Sequence, residues 1–183
     1  MKYSLTWLQE QFDANIPLKY IYFWGHRPNK DGSIGKSCMS QWWISAFTVE
    51  GISYKTAEHW MMAEKARLFR DDEVLQKILQ APTPAEAKKL GRQVRNFDHA
   101  QWSANCYEIV KQGNVHKFGQ NEELRGYLLT TGNRILVEAS PQDAIWGIGM
   151  AENHPDIYFP SKWKGTNLLG FALMEARDVL ASV

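Results

Sequence analysis

Apolar residues recur every three or four positions through much of this chain, the spacing of helices with one buried face. Leu5, Leu8 and Phe12 mark a short amphipathic helix ahead of Pro17. Tyr20–Trp24 and the region 42–49 are instead aromatic and β-branched, so both are expected to be strand-like. Between them, 27–37 is rich in Gly, Pro, Asn and Asp and is expected to form a mobile loop carrying Arg27, Lys30 and Lys36. Glu50-Gly51 should turn the chain into Tyr54 and a helix over Thr56–Phe69. Thr83-Pro84-Ala85-Glu86 is a capping box with proline at the first helical position, and Gly91 is expected to stop that helix after Leu90. Asp98 opens a further helix running to near Phe118, and Asn121 caps another that ends around Thr131-Gly132. Arg134–Ala139 reads as a short strand, and Ser140-Pro141-Gln142-Asp143 as the start of a tight helical turn before Trp146-Gly147. A last helix starts near Asn167, where Gly170 implies close approach of another backbone. The expected fold class is mainly α (α-rich α+β), one compact helical domain over 1–183 with a few short β-strands.

Composition narrows the function. With 44% hydrophobic and 22% charged residues the chain reads as a soluble globular protein. Its 21 basic and 20 acidic residues leave a formal charge of +1, which argues against binding long nucleic-acid tracts but allows a local basic patch. Eight tryptophans are several times the usual number, and those outside the core offer flat faces for bases or sugars. Cys38 and Cys106 show no CxxC spacing, which fits a reducing compartment. No secretory signal and no apolar run of membrane-spanning length is found, so a cytoplasmic protein with no membrane partner is expected.

One helix face breaks the pattern. Glu58, Met61, Met62 and Lys65 follow i, i+3, i+4, i+7, so an acid and an amine share an apolar stripe. Buried charges are costly unless matched, which leaves two readings of equal standing: a mutual Glu58–Lys65 pair that fixes packing, or a functional site.

A second constellation runs from Glu138 to Gly149. Glu138 ends an apolar strand and Asp143 follows a sharp turn, with Trp146, Gly147 and Gly149 making what reads as a cleft wall. Function is favoured for Glu138, whereas Asp143 suits either function or capping of Ser140. The stretch Trp163-Lys164-Gly165-Thr166-Asn167 delivers donors to a helix N-terminus; simple capping is the stronger reading there and phosphate binding the weaker. Arg92, beside Lys88, Lys89 and Arg95, suits either a phosphate contact or a solvated basic surface. Five scattered histidines without HExxH spacing give no metal site, and no nucleophile elbow, Walker loop or dinucleotide fingerprint is present.

These blocks, in this order, resemble a known family. Tyr20–Trp24, Ser40-Gln41-Trp42, YKTAEHWMMAEKARLF, AKKLGR, Trp102, Lys117-Phe118, LLTTG, LVEASPQDAIWGIG and GTNLLGFALMEAR are similar to the NADAR (YbiA-like) family from about residue 20 to 180. The resemblance implies a mainly α-helical fold with short strands around a central cleft, and an enzyme: an N-glycosidase, a hydrolase acting on N-glycosyl compounds, with no cofactor. It implies catalytic positions at Glu58, Lys65, Glu138 and Asp143. Substrate-binding positions follow at Trp24, Gln41, Trp42, Arg92, Trp146, Gly147, Trp163 and Asn167, with Trp146 the preferred stacking partner. The implied substrate is ADP-ribosylated guanine in DNA or nucleotides, or alternatively a phosphorylated ribosylamino-pyrimidine of riboflavin synthesis. The corresponding partners are a small ribosyl-phosphate or ADP-ribose ligand and, through local contacts, ADP-ribosylated DNA. A non-catalytic ADP-ribose reader and a purely structural helical domain are the rival readings. The chain departs from the family pattern in the insertion 27–37 and in the segment 153–162.

Overall fold

A computed structural model describes residues 1–182. In chain order the elements are α1 (Leu5–Asp13), β1 (Tyr20–Phe23), β2 (Phe47–Val49), β3 (Ile52–Tyr54) and α2 (Ala57–Leu68). There follow α3 (Asp72–Gln80), α4 (Pro84–Gly91), α5 (His99–Gly119), α6 (Glu122–Thr130), β4 (Ile135–Glu138) and α7 (Leu168–Ala181). The described residues are therefore mainly helical with four short strands, as expected. The chain forms two compact units, one of Met1–Ser40 with Glu123 onward, the other of Gln41–Glu122.

The first unit is organised by β1 and β4. They pair in parallel from Tyr20↔Ile135 to Phe23↔Glu138. Ile135, Leu136 and Val137 are all buried, because helix α7 covers the strand. That approach is very close: a Cβ on Gly170 would lie 2.0 Å from the Leu136 carbonyl oxygen, as the isolated glycine implied. Arg177 on α7 donates to the Thr131 hydroxyl and the Arg134 carbonyl, fastening the helix to the turn before β4. Ser4 caps α1, accepting from the Trp7 N–H.

The second unit is built around α2, which packs on α3, α4 and α5. Thr56 caps it, and every residue from Ala57 to Ala63 is buried, so its first two turns are enclosed on all faces. His59 joins α2 to the end of α3. Its Nε2 faces the Ala81 carbonyl at 3.1 Å, and a carbonyl can only accept, so this nitrogen carries the proton and Nδ1 accepts from the Thr56 hydroxyl at 2.8 Å. Burial holds the His59 pKa down, consistent with that neutral form. Thr83 and Asp98 cap α4 and α5 through Glu86 N–H and Gln101 N–H.

Several local expectations are corrected. Only Phe47–Val49 of the region 42–49 is strand; it makes a tight hairpin with β3 through Glu50 and Gly51, both with positive φ. Gly91 does not end α4 early but forms its last turn, where a Cβ would strike the Met62 sulfur. Asn121 stands directly before α6 as expected, and its side-chain amide also donates back to the Lys117 and Ala46 carbonyls at the end of α5. Residues 140–146 are turns rather than a helical turn. Helix α3 is an element that the hydrophobic pattern alone did not bring out.

Asp71 caps α3 and also takes the Arg95 guanidinium, at 2.6 Å from Nη2 and 3.1 Å from Nε. Hydrogen bonds from Arg95 hold the buried Asp71 carboxyl well below the usual carboxylate range. A folded pKa below the unfolded one stabilises the fold above the unfolded value, about 3.9, and that contribution is lost as pH falls through the folded one. Asp71→Asn should therefore melt below wild type at pH 7, and the difference should shrink in melting curves taken below about pH 4.

Candidate active site

In the second unit, Glu58 lies in the first turn of α2 and Lys65 in the last. Glu58 is 4% exposed. A helix N-terminus favours negative charge, which explains how an acid is tolerated there. Its backbone N–H donates to the Gln41 carbonyl at 3.0 Å, so Gln41 and Glu58 are neighbours as well as family-pattern positions. Gln41 is 7% exposed; its Oε1 accepts from Asn114 Nδ2, while its Nε2 is buried without a hydrogen-bond partner. An orphaned amide donor suits a polar ligand atom.

Lys65 does not pair with Glu58. Seven residues of helix separate their Cα atoms by about 10 Å. Instead its Nζ sits 4.4 Å from the centroid of Phe97 and 5.5 Å from that of Trp102. Burial and, after it, the nearby Arg92 guanidinium lower the Lys65 pKa. The lysine is thus a half-desolvated amine on aromatic faces, with a cation as its nearest charge. Both influences act against the ammonium form, while the Phe97 and Trp102 ring faces act in its favour. Arg92 itself is exposed, and Lys88, one turn earlier on α4, lies 5.9 Å over the Trp42 ring. Lys65, Lys88 and Arg92 with Trp42, Phe97 and Trp102 so combine positive charge and flat rings within this unit.

In the first unit, the ends of β1 and β4 bring Trp24 and Glu138 together: Phe23 pairs with Glu138, and the Ala139 N–H donates to the Phe23 carbonyl. Trp24 is 56% exposed and Trp146 half-buried, so both keep usable ring surface. Glu138 is held through its main chain, its N–H donating to Asn167 Oδ1 and its carbonyl accepting from the Ile148 N–H. Asp143 accepts from the Ile145 and Trp146 N–H groups at 2.9 and 2.8 Å, the anchoring duty of a turn aspartate. Gly147 is tightly packed. A Cβ there would meet the Asp143 and Glu138 carbonyl oxygens at 2.9 Å, so glycine is needed for close packing.

Two of the residues expected to bind substrate serve the framework. Trp163 is buried and donates its indole N–H to the Ile157 carbonyl. Asn167 has left-handed backbone (φ 54) and no exposure, and its amide bridges the Glu138 N–H and the Leu136 carbonyl rather than capping α7. Sequence analysis did not point to Phe97, and it gave no role to Trp102, although that residue belongs to the family-like blocks; the two rings hold Lys65. Nor did it give a role to Lys117, a wholly buried ammonium on α5. Lys117 continues the Cys106, Val110, Gly113 stripe of that helix, so the same spacing rule that exposed Glu58 and Lys65 reaches it.

Among the described residues no cluster of His, Cys, Asp and Glu could hold a metal ion, and no helix is long and apolar enough to cross a membrane. Both cysteines are buried, and neither is in a disulfide among the described residues.

A family model described as the NADAR domain matches residues 22–181. The N-glycosidase R617 of Acanthamoeba polyphaga mimivirus is 41% identical over 165 residues, covering 87% of this chain and 95% of that protein. The N-glycosidase YbiA of Escherichia coli K12 is 32% identical over 133 residues, 73% of this chain and 74% of YbiA. The NMR structure of E. coli YbiA aligns with a TM-score of 0.70 at 28% identity, covering 90% of this chain and 86% of that one.

Proposed function

We propose, since this chain belongs to the NADAR domain family, that it splits a ribose C1–N bond in ADP-ribosylated guanine, releasing ADP-ribose. By homology it is an N-glycosidase, a hydrolase acting on a small ribosyl substrate. The family model runs through both compact units, and we take them as parts of one working domain in the cytoplasm.

The observation that carries the chemistry is Lys65, an amine desolvated on aromatic rings next to Arg92. A neutral amine attacks ribose C1; the C1–N bond breaks with its electron pair leaving on the base nitrogen, which takes up a proton. Ring opening gives a Schiff base, and water then frees the sugar and returns the amine. Glu58 is assigned to the positive charge that develops on the sugar. A carboxylate about 4 Å from that charge contributes about 4 kcal/mol at an effective dielectric near 20, about three decades in rate. Glu138 is assigned to water activation and proton movement, and Asp143 to holding the turn that carries Trp146.

The guanine reading rests on the cations of the second unit. Lys88 and Arg92, one turn apart, together with the flat faces of Trp42 and Phe97, suit a pyrophosphate joined to an aromatic base. Side-by-side assays on an ADP-ribosylated guanine oligonucleotide and on a ribosylamino-pyrimidine phosphate test it. Release of ADP-ribose from the first is expected; turnover of the pyrimidine alone would replace the substrate, and turnover of neither would support a ligand reader. Trp146→Ala should weaken substrate binding by about 1–3 kcal/mol if its ring stacks on the base or sugar, and an unchanged KM would remove it from the site.

A further inference from the structure

We propose that the first unit carries a second ligand site, apart from the N-glycosidase groups, for a flat aromatic ring bearing one anionic substituent. An open cavity of about 770 Å³ lies between the end of α1, the start of β1 and the loop around Tyr158. That volume is within the usual range of small-molecule sites, about 300–1,000 Å³. Phe12 and Ile16 form one wall and Tyr20 and Tyr22 another. Two residues apart on a strand, the tyrosines share a face, and their rings lie 5.6 Å apart at 13°. Tyr158 meets Tyr22 edge-on at 6.1 Å.

Three features point to a ligand rather than to loose packing. The Tyr20 hydroxyl is shielded from solvent and has no hydrogen-bond partner, whereas the Tyr22 hydroxyl reaches the Ile157 carbonyl. Buried polar groups are nearly always satisfied, so an acceptor on a bound molecule completes the site. Burial pushes the Tyr20 pKa up to about 12, so the phenol remains a donor at neutral pH. Next, Tyr158 is 61% and Ile16 49% exposed, so large apolar side chains gather at one mouth. Finally, exposed Lys19 lies on the cavity wall and forms no ion pair among the described residues, which supplies a counter-charge for an anion. Stacked rings, a phenol donor and one ammonium describe an aromatic anion.

The site is separate from the carboxylate of the first unit. Tyr20 pairs with Ile135 at the start of the β1–β4 ladder and Phe23 with Glu138 at its end, about 10 Å further along the strands. Phe12, Ile16, Lys19 and Tyr20 also precede residue 22, where the NADAR match begins.

A nucleotide or an aromatic carboxylate would carry the same chemistry. Isothermal titration of the full chain with guanosine monophosphate, with 2-naphthoate and with inorganic phosphate separates them. Saturable binding of the nucleotide or the naphthoate is expected, with little of phosphate, and whichever ring compound saturates names the source. Tyr158→Ala and Lys19→Gln, both at exposed positions that should not disturb folding, should each weaken that binding about five- to tenfold, and Tyr20→Phe severalfold. No binding of either ring compound overturns the proposal. So does binding left unchanged by Tyr158→Ala and Lys19→Gln, or phosphate binding as strong as theirs.

Discussion

Lys65→Ala should fold normally and lose N-glycosidase turnover by about a thousandfold or more. Borohydride added with substrate should trap a covalent sugar adduct on the wild type and none on this variant. An ordinary lysine, with a pKa near 10.4, is less than about 0.1% neutral at pH 7, so a nucleophilic lysine needs help. Here the last turn of α2 sets the amine against Phe97 and Trp102, out of bulk water, and Arg92 adds a like charge. Both effects lower the pKa, and each unit recovered multiplies the reactive fraction about tenfold. The rate should therefore rise with pH through a value below that of a free lysine. Arg92→Gln removes a repelling charge, raises the Lys65 pKa, and should move that rise to higher pH. Folding is not at stake, because Lys65 sits on rings without an ion pair among the described residues, and its removal strands no carboxylate. No adduct, together with more than a tenth of wild-type turnover in Lys65→Ala, would remove Lys65 from the role of nucleophile.

The α2 face was readable because every signal for it is local. Thr56 caps the helix, Met61 and Met62 mark its apolar stripe, and two charges interrupt that stripe at helical spacing. The same holds for α4 and α5, whose caps are Thr83 and Asp98. What surrounds Lys65 was not readable, because Phe97 and Trp102 come some thirty residues later and no periodicity links them to it. Helix α3 was legible in principle: Asp71 caps it, acids fill its first turn, and Val74, Leu75 and Ile78 are buried on one side.

Side chains with both an apolar body and a polar tip proved hardest to rank. Trp24 and Trp163 look alike in sequence, yet one is 56% exposed and the other is core with its N–H spent on a carbonyl. Asp143 carried the signs of capping and of function alike, and Asn167 those of capping and of phosphate binding. Both work through their backbone neighbours, Asp143 in its own turn and Asn167 across to β4, a partner about thirty residues away that no local spacing reveals.

Gly170→Ala and Gly126→Ala make the same chemical change in two helices and should have opposite effects. At Gly126 in α6 an added methyl meets nothing within 4 Å. Alanine there restricts the unfolded chain and favours the helix, so stability should rise by about 0.5–1 kcal/mol. At Gly170 the methyl would sit 2.0 Å from the Leu136 carbonyl oxygen and about as tightly against the Asn167 amide, at 2.5 and 2.6 Å. Backbone cannot yield as a flexible side chain does, so α7 must lift from β4. Overpacking of this kind costs about 3 kcal/mol, or roughly 6–12 °C in melting temperature for a chain of this size. The loss should extend to turnover, because Asn167 is the residue that receives the Glu138 N–H and donates to Leu136. A Gly170→Ala protein that melts within about 2 °C of wild type would show that α7 and β4 are not in backbone contact. Glu138 would then lose the support assigned to it.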